Sequence, residues 1–167
     1  MNDLRMSISR IIPAVLLAVG SLTLPGVARA DDMVAIVDAY IEAWNAHDAA
    51  KAVSFFTEDG EYYDSSVGTP QKGHQAVQEK VIQSFMTAAP DSVWTRKGDI
   101  IVGDGAVAFE WTFTGTNTGV WGDGTAAANK PFDFSGATII RFKDGKIQFE
   151  GDFYDAHTFY KQLGWAQ

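Results

Sequence analysis

The sequence predicts an α+β domain: a curved antiparallel sheet with three to four helices that enclose an apolar pocket. Three observations predict it. Helical periodicity fills the chain from residue 31 to about 90, alternating periodicity fills most of the remainder, and glycine turns join the alternating segments.

The first residues form a separate unit. Arg5 and Arg10 precede or open the apolar run Ile11 to Leu24, and Ala28-Arg29-Ala30 follows, which are the three parts of a secretory signal cleaved after Ala30. Pro13, Gly20 and Pro25 interrupt the run, so it falls short of the roughly 20 clean apolar residues of a spanning helix. Export to a periplasm or the medium is therefore expected, with no membrane anchor after cleavage. Residues 31–167 then form one domain, large enough to bury a core. The chain has no cysteine, so packing must supply its stability.

Asp31 and Asp32 start a helix whose apolar stripe is Met33, Val37, Tyr40, Ile41 and Trp44. Asp48 caps a second, short helix with Ala52, Val53 and Phe56, and Glu61 to Asp64 is a short strand. Ser65 to Gly73 reads as a loop. Val77, Val81, Phe85 and Ala88 mark a third helix that stops near Pro90. Four longer strands follow: Ser92 to Val102, Val107 to Thr116, Phe132 to Phe142 and Ile147 to Tyr154. Gly103-Asp104-Gly105 and Lys143-Asp144-Gly145-Lys146 are hairpin turns between them. Asn117 to Pro131, rich in Gly and Ala, is too long for a hairpin loop and reads as a flap or a plain connection. A last helix spans Ala156 to Leu163 and closes on Gly164.

Charge excludes several classes of partner. Residues 1–30 carry three Arg and one Asp, which leaves 10 basic and 20 acidic side chains in the remainder. A surface with net charge near −10 repels phosphate backbones and anionic lipid, so neither nucleic acid nor a membrane is expected as a partner. Eleven Phe, five Trp and five Tyr fit an aromatic-lined cavity for a small hydrophobic molecule, or a Phe-rich core. His47, His74 and His157 lack metal-ligand spacing. No phosphate loop, dinucleotide fingerprint or nucleophile elbow occurs, and no cofactor or metal is expected.

Several segments together resemble a known family. Phe113-Thr114-Gly115-Thr116-Asn117-Thr118-Gly119, Arg141 through Ile147, and Asp155 followed by Gln162-Leu163-Gly164 are similar to the SnoaL-like polyketide cyclases. Tyr40 through Asn45, Asp48 and the strand ending in Asp64 look like the first helix and base-bearing strand of the ketosteroid isomerases. Both belong to the nuclear transport factor 2-like superfamily, so the resemblance implies its cone-shaped fold and cyclase, isomerase or lyase chemistry on a carbonyl compound. It also implies an acid/base role for Asp155. Thr138 stands where the isomerases keep an acid, and Asn117 where SnoaL-like proteins often keep a histidine.

The residues themselves leave each candidate two readings. If the last strand extends in phase from Ile147, Phe149, Gly151 and Phe153, Asp155 faces the pocket, where desolvation would raise its pKa into a useful range. It is equally placed to cap the last helix. Asp64 is a base at the rim of the loop or an Asx-turn residue. Tyr40, on the buried stripe, donates to a ligand oxygen or to another side chain. Trp44, Trp94, Phe109, Trp111, Phe113, Thr138, Phe153 and His157 are the candidate ligand contacts, with plain core packing as the alternative for the aromatic ones. Function then lies between a cofactor-free acid/base enzyme with Asp155, Asp64 and Tyr40, a non-catalytic carrier of a hydrophobic ligand, and a dimerising module. A homodimer through the outer sheet face is compatible with all three.

Overall fold

The switch from helical to alternating periodicity near residue 90 separates the helical cover from most of the sheet in the computed structural model, which describes residues 30–167. The secretory signal expected over residues 1–30 lies outside the described residues but for Ala30, which begins α1. The helices are α1 (Ala30–Asn45), α2 (Ala49–Val53), α3 (74–88) and α4 (Ala156–Leu163). The strands are β1 (Phe56–Asp64), β2 (Gln71–Lys72), β3 (Val93–Val102), β4 (Ala106–Asn117), β5 (Lys130–Lys143) and β6 (Lys146–Tyr154). They form one curved mixed sheet in the order β2-β1-β6-β5-β4-β3.

The four long strands pair antiparallel as their turns require. β1 differs: it lies parallel to β6, so the ends of β1 and β6 that carry Asp64 and Asp152 are register partners. This strand begins earlier than the sequence suggests. Phe56 leaves the second helix and pairs with Ile147, and a bulge before Glu61 absorbs the intervening residues. α3 likewise starts at His74 and is π-helical over Gln78–Ile82, a wider turn within an otherwise helical run.

The amphipathic stripe of α1 meets the concave face of the sheet through Met33, Val37, Tyr40, Ile41 and Trp44, all buried. α3 adds Val77, Val81, Ile82 and Phe85, and α4 adds Phe159 and Leu163. Asp48 caps α2 by accepting from the Lys51 N–H at 2.9 Å, as its position predicts. The core is aromatic because one sheet and short helices leave a wide interior, which large rings fill with few side chains.

The segment between β4 and β5 is tied down at its base. Asn117 is fully buried, and its Nδ2 donates to the carbonyls of Ala88 and Gly119, both at 2.9 Å. Its Oδ1 accepts from the Ala128 N–H at 2.6 Å. One amide thus clips both ends of the flap to the end of α3, and Gly119 sits so close to Thr87 that a side chain there would strike the Thr87 carbonyl.

Candidate active site

The last strand carries the decisive departure from the alternation read in the sequence. β6 and β5 slip between Arg141 and Phe142: Phe142 pairs with Ile147, but Arg141 pairs with Phe149, leaving Gln148 as the extra residue. A one-residue slip exchanges the two faces of a strand. Ile147 is therefore buried, whereas beyond the bulge Glu150 and Asp152 turn inward and Phe153 turns out, 44% exposed. Phe149 lies under the Arg141 guanidinium at 4.8 Å, and Phe153 packs on Tyr63 at 5.5 Å.

Asp155 consequently stands outside the pocket. It is exposed and caps α4, accepting from the Thr158 N–H at 3.1 Å and from the Thr158 hydroxyl at 2.6 Å. These bonds hold its carboxyl below the usual range, opposite to the shift an apolar pocket would produce. Of its two readings, the structure realises the cap. His157, in the first turn of α4, is also exposed.

A narrow cavity of about 30 Å³ opens between the sheet and the helices, with room for one or two water-sized groups. Trp44, Trp94, Trp111 and Phe113, four of the expected contacts, line it. So do Tyr62, Phe85, Phe134 and Tyr154, together with the carboxyls of Asp64 and Asp152. Phe109 is buried beside Trp94, with ring centroids 5.9 Å apart, and belongs to the core behind this wall. Phe153 faces the other side of the sheet, so neither it nor Phe109 reaches the cavity. Thr138 is a supporting residue. Trp111 Nε1 donates to Thr138 Oγ1 at 2.7 Å, and because an indole can only donate, the threonine proton is directed at Asp152 Oδ1.

Asp152 is held on both oxygens, since Tyr62 OH donates to its Oδ2 at 2.6 Å. Burial first, and the negative charge of Asp64 second, raise its pKa to about 7, against the lowering effect of these two donors. Asp64 lies on the adjoining strand in register with it. Its Oδ1 accepts from the Ser66 N–H at 2.8 Å, the Ser66 hydroxyl at 2.6 Å, the Val67 N–H at 3.2 Å and Tyr154 OH at 2.9 Å. The Asx-turn reading of Asp64 is thus realised together with its place in the cavity. Burial raises its pKa and these donors oppose the rise. Among the described residues its Oδ2 meets only Tyr154 OH, at 3.1 Å.

Tyr40 is fully buried one layer deeper and does not line the cavity. Its hydroxyl, Trp44 Nε1 and both oxygens of Glu150 make no hydrogen bond of good geometry among the described residues. Burial, then the Coulomb effect of Glu150, raises the Tyr40 pKa well above its ordinary value. Burial and the charge of Asp152 do the same for Glu150. Of the candidate catalytic residues, Asp64 alone reaches the cavity. Asp152, Tyr62 and Tyr154 escaped the sequence reading; their only signal was acids and tyrosines alternating at 62 and 64 and at 150, 152 and 154, which an unbulged β6 would have placed on the outer face for its last three.

A second, wider chamber of about 700 Å³, lined largely by half-buried and exposed residues, shares Phe85 with the first and forms the outer one. Trp121 of the flap, Phe159, Tyr160 and Trp165 give it aromatic walls.

A family model for the SnoaL-like polyketide cyclases matches residues 34–163, which takes in every element of the site. The chain belongs to the SnoaL-like polyketide cyclase family. No curated protein matches it at the sequence level. Solved structures agree on the fold: a Jannaschia protein described as a SnoaL-like polyketide cyclase superposes with a TM-score of 0.70 at 13% identity, covering 80% of this chain and 92% of that one. A Bacillus cereus protein described as a polyketide cyclase gives 0.64 at 23% identity, covering 83% and 84%. A Catenulispora acidiphila protein with a ketosteroid isomerase-like fold, solved with trimethylamine, gives 0.65 at 21% identity, covering 77% and 92%. At these identities the likeness is one of fold, and it bears out the nuclear transport factor 2-like architecture expected of this SnoaL-like chain.

Proposed function

We propose that this SnoaL-like protein performs cofactor-free acid/base chemistry of the cyclase, isomerase or lyase type on a small hydrophobic carbonyl compound. Asp64 and Asp152 act in place of Asp155. The observation that carries the reading is the unequal pair of carboxyls on one aromatic cavity: Asp64 with Oδ1 saturated by donors, Asp152 titrating near 7. Two carboxyls whose surroundings differ can divide the roles of base and acid.

Asp64 removes a proton from the carbon next to the substrate carbonyl through Oδ2. Protonated Asp152, positioned by Tyr62 and Thr138, donates a hydrogen bond to the developing enolate oxygen. Return of the proton to another carbon gives isomerisation, and attack of the enolate on a second carbonyl of the same molecule gives cyclisation. The surrounding rings exclude water and so strengthen these electrostatic contacts. The body of a larger substrate occupies the outer chamber, since the inner one admits only its reacting end. Carriage of a hydrophobic ligand without turnover is the second reading, favoured by the size and aromatic walls of that outer chamber.

The signal-like segment supports export, with a site of action outside the cytoplasm. The outer sheet face, with Tyr63, Ile139 and Phe153, supports a homodimer.

The test is exchange of α-hydrogens for deuterium in a panel of polyketide-like and steroid-like ketones, followed by NMR. Wild-type protein is expected to accelerate exchange and Asp64→Asn to lose about 100-fold or more of the effect. Binding of the ketones without any exchange would leave only the carrier reading.

A further inference from the structure

The cavity combines aromatic rings with carboxyls and, among the described residues, lacks any positive partner. Trp44 and Trp94 are 5.8 Å apart with planes at 74°, Trp94 and Trp111 6.3 Å apart at 84°, and Trp44 and Phe113 6.4 Å apart at 89°. In each pair the edge of one ring meets the face of its neighbour, and all four rings line the one small space. Asp64 and Asp152 open on the same space, and among the described residues no Lys, Arg or His lines it. Every donor that reaches these two carboxyls is neutral: hydroxyls of Ser66, Tyr62, Thr138 and Tyr154 and backbone N–H groups. Buried carboxylates are ordinarily balanced by a cation, and here hydrogen bonds alone stand against the cost of desolvation.

We propose that the inner cavity is a binding site for a small alkylammonium group, held by the Trp44, Trp94 and Trp111 rings and by the Asp64 and Asp152 carboxyls. A cation there gains from the ring quadrupoles and neutralises the uncompensated carboxyls at the same time, and both effects are stronger away from water. The size fits the head of a molecule rather than its whole: about 30 Å³ admits a head of one or two heavy atoms, the size of methylammonium, and not a ring system, whose place is the outer chamber. Binding of this kind requires no turnover. A ligand of this class would compete with a ketone for the same carboxyls.

Affinity should also follow pH. The ionisable groups facing the site are Asp64 and Tyr62 from β1 and Asp152 and Tyr154 from β6, with Glu150 and Tyr40 in the layer behind. A cation favours the charged form of Asp152, so binding takes up a deprotonated carboxyl and tightens as the pH rises through about 7.

The experiment is titration calorimetry of the full mature chain with the series from methylammonium to tetramethylammonium, against methanol and tert-butanol as uncharged counterparts at equal ionic strength. At least one ammonium ion is expected to bind about tenfold or more tightly than its uncharged counterpart, with saturation-transfer contacts from its methyl groups to indole protons. Asp64→Asn should weaken it about tenfold, and Asp152→Asn should abolish the rise with pH. If the Asp64 variant does not fold, the charged-against-neutral comparison on the wild type decides alone. Equal binding of ammonium and alcohol, or no binding of any ammonium ion, overturns the proposal whether or not ketone exchange is seen.

Discussion

Asp152→Asn should make the protein more stable at neutral and alkaline pH while removing the acid of the proposed chemistry. The folded-state pKa of Asp152 is about 7, against 3.8 ordinarily. A pKa raised on folding means that the native state holds an extra proton between those two values. The stability linked to that proton is fully present below pH 4 and is lost as the pH climbs to 7. About three pKa units at ~1.4 kcal/mol each give a difference of about 4 kcal/mol between acid and alkaline conditions. Asparagine carries no charge at any pH, and it keeps an acceptor for Thr138 and a donor for the Tyr62 oxygen. Stability of the variant relative to the wild type should therefore rise from near zero at pH 4 by up to about 4 kcal/mol at pH 8, or roughly 10–15 °C in melting temperature. Asp64 and Asp152 adjoin each other, so the rise spreads over a wider range than one isolated group would give. Urea unfolding of both proteins at intervals from pH 4 to 9 measures it. Parallel curves for the two proteins would refute a buried carboxyl strained by its surroundings, and with it the acid assigned to Asp152.

Thr138→Val keeps shape but leaves the Trp111 N–H without an acceptor and Asp152 without one donor. Urea unfolding should show a loss of about 1–3 kcal/mol, and the pH transition of the remaining stability should move upward. Gly119→Ala would drive a methyl group into the Thr87 carbonyl, so the flap must lift. Limited proteolysis should then cut within residues 118–129 sooner, with little change in the melting temperature of the rest. Asp155→Ala removes the cap of α4 and should slightly lower stability, while ketone exchange and ammonium binding stay as in the wild type. A loss of exchange in that variant alone would return Asp155 to the mechanism.

The sequence by itself determined the architecture, because the features that carry it are local. The stripe of α1, the cap at Asp48, the hairpin at Gly105 and the αL closure at Gly164 each follow from a few neighbouring residues and appear where the pattern puts them. Motifs around residues 113–119, 141–147 and 155–164 together also pointed to the family that the match over residues 34–163 shows. Part of the cavity wall was legible for the same reason: Trp94, Trp111 and Phe113 keep strict alternation on strands without a slip between those residues. Of the two cavity carboxyls, Asp64 was legible at the end of its strand and Asp152 was not. Strand phase in β6 depends on one unpaired residue, Gln148, and that slip is fixed by pairing with β5, on the other side of a hairpin, and with β1, about 90 residues earlier. Only the tertiary structure therefore decided that Asp152, and not Asp155, joins Asp64. A strand's period states which residues share a face, and only its partners say which face looks inward.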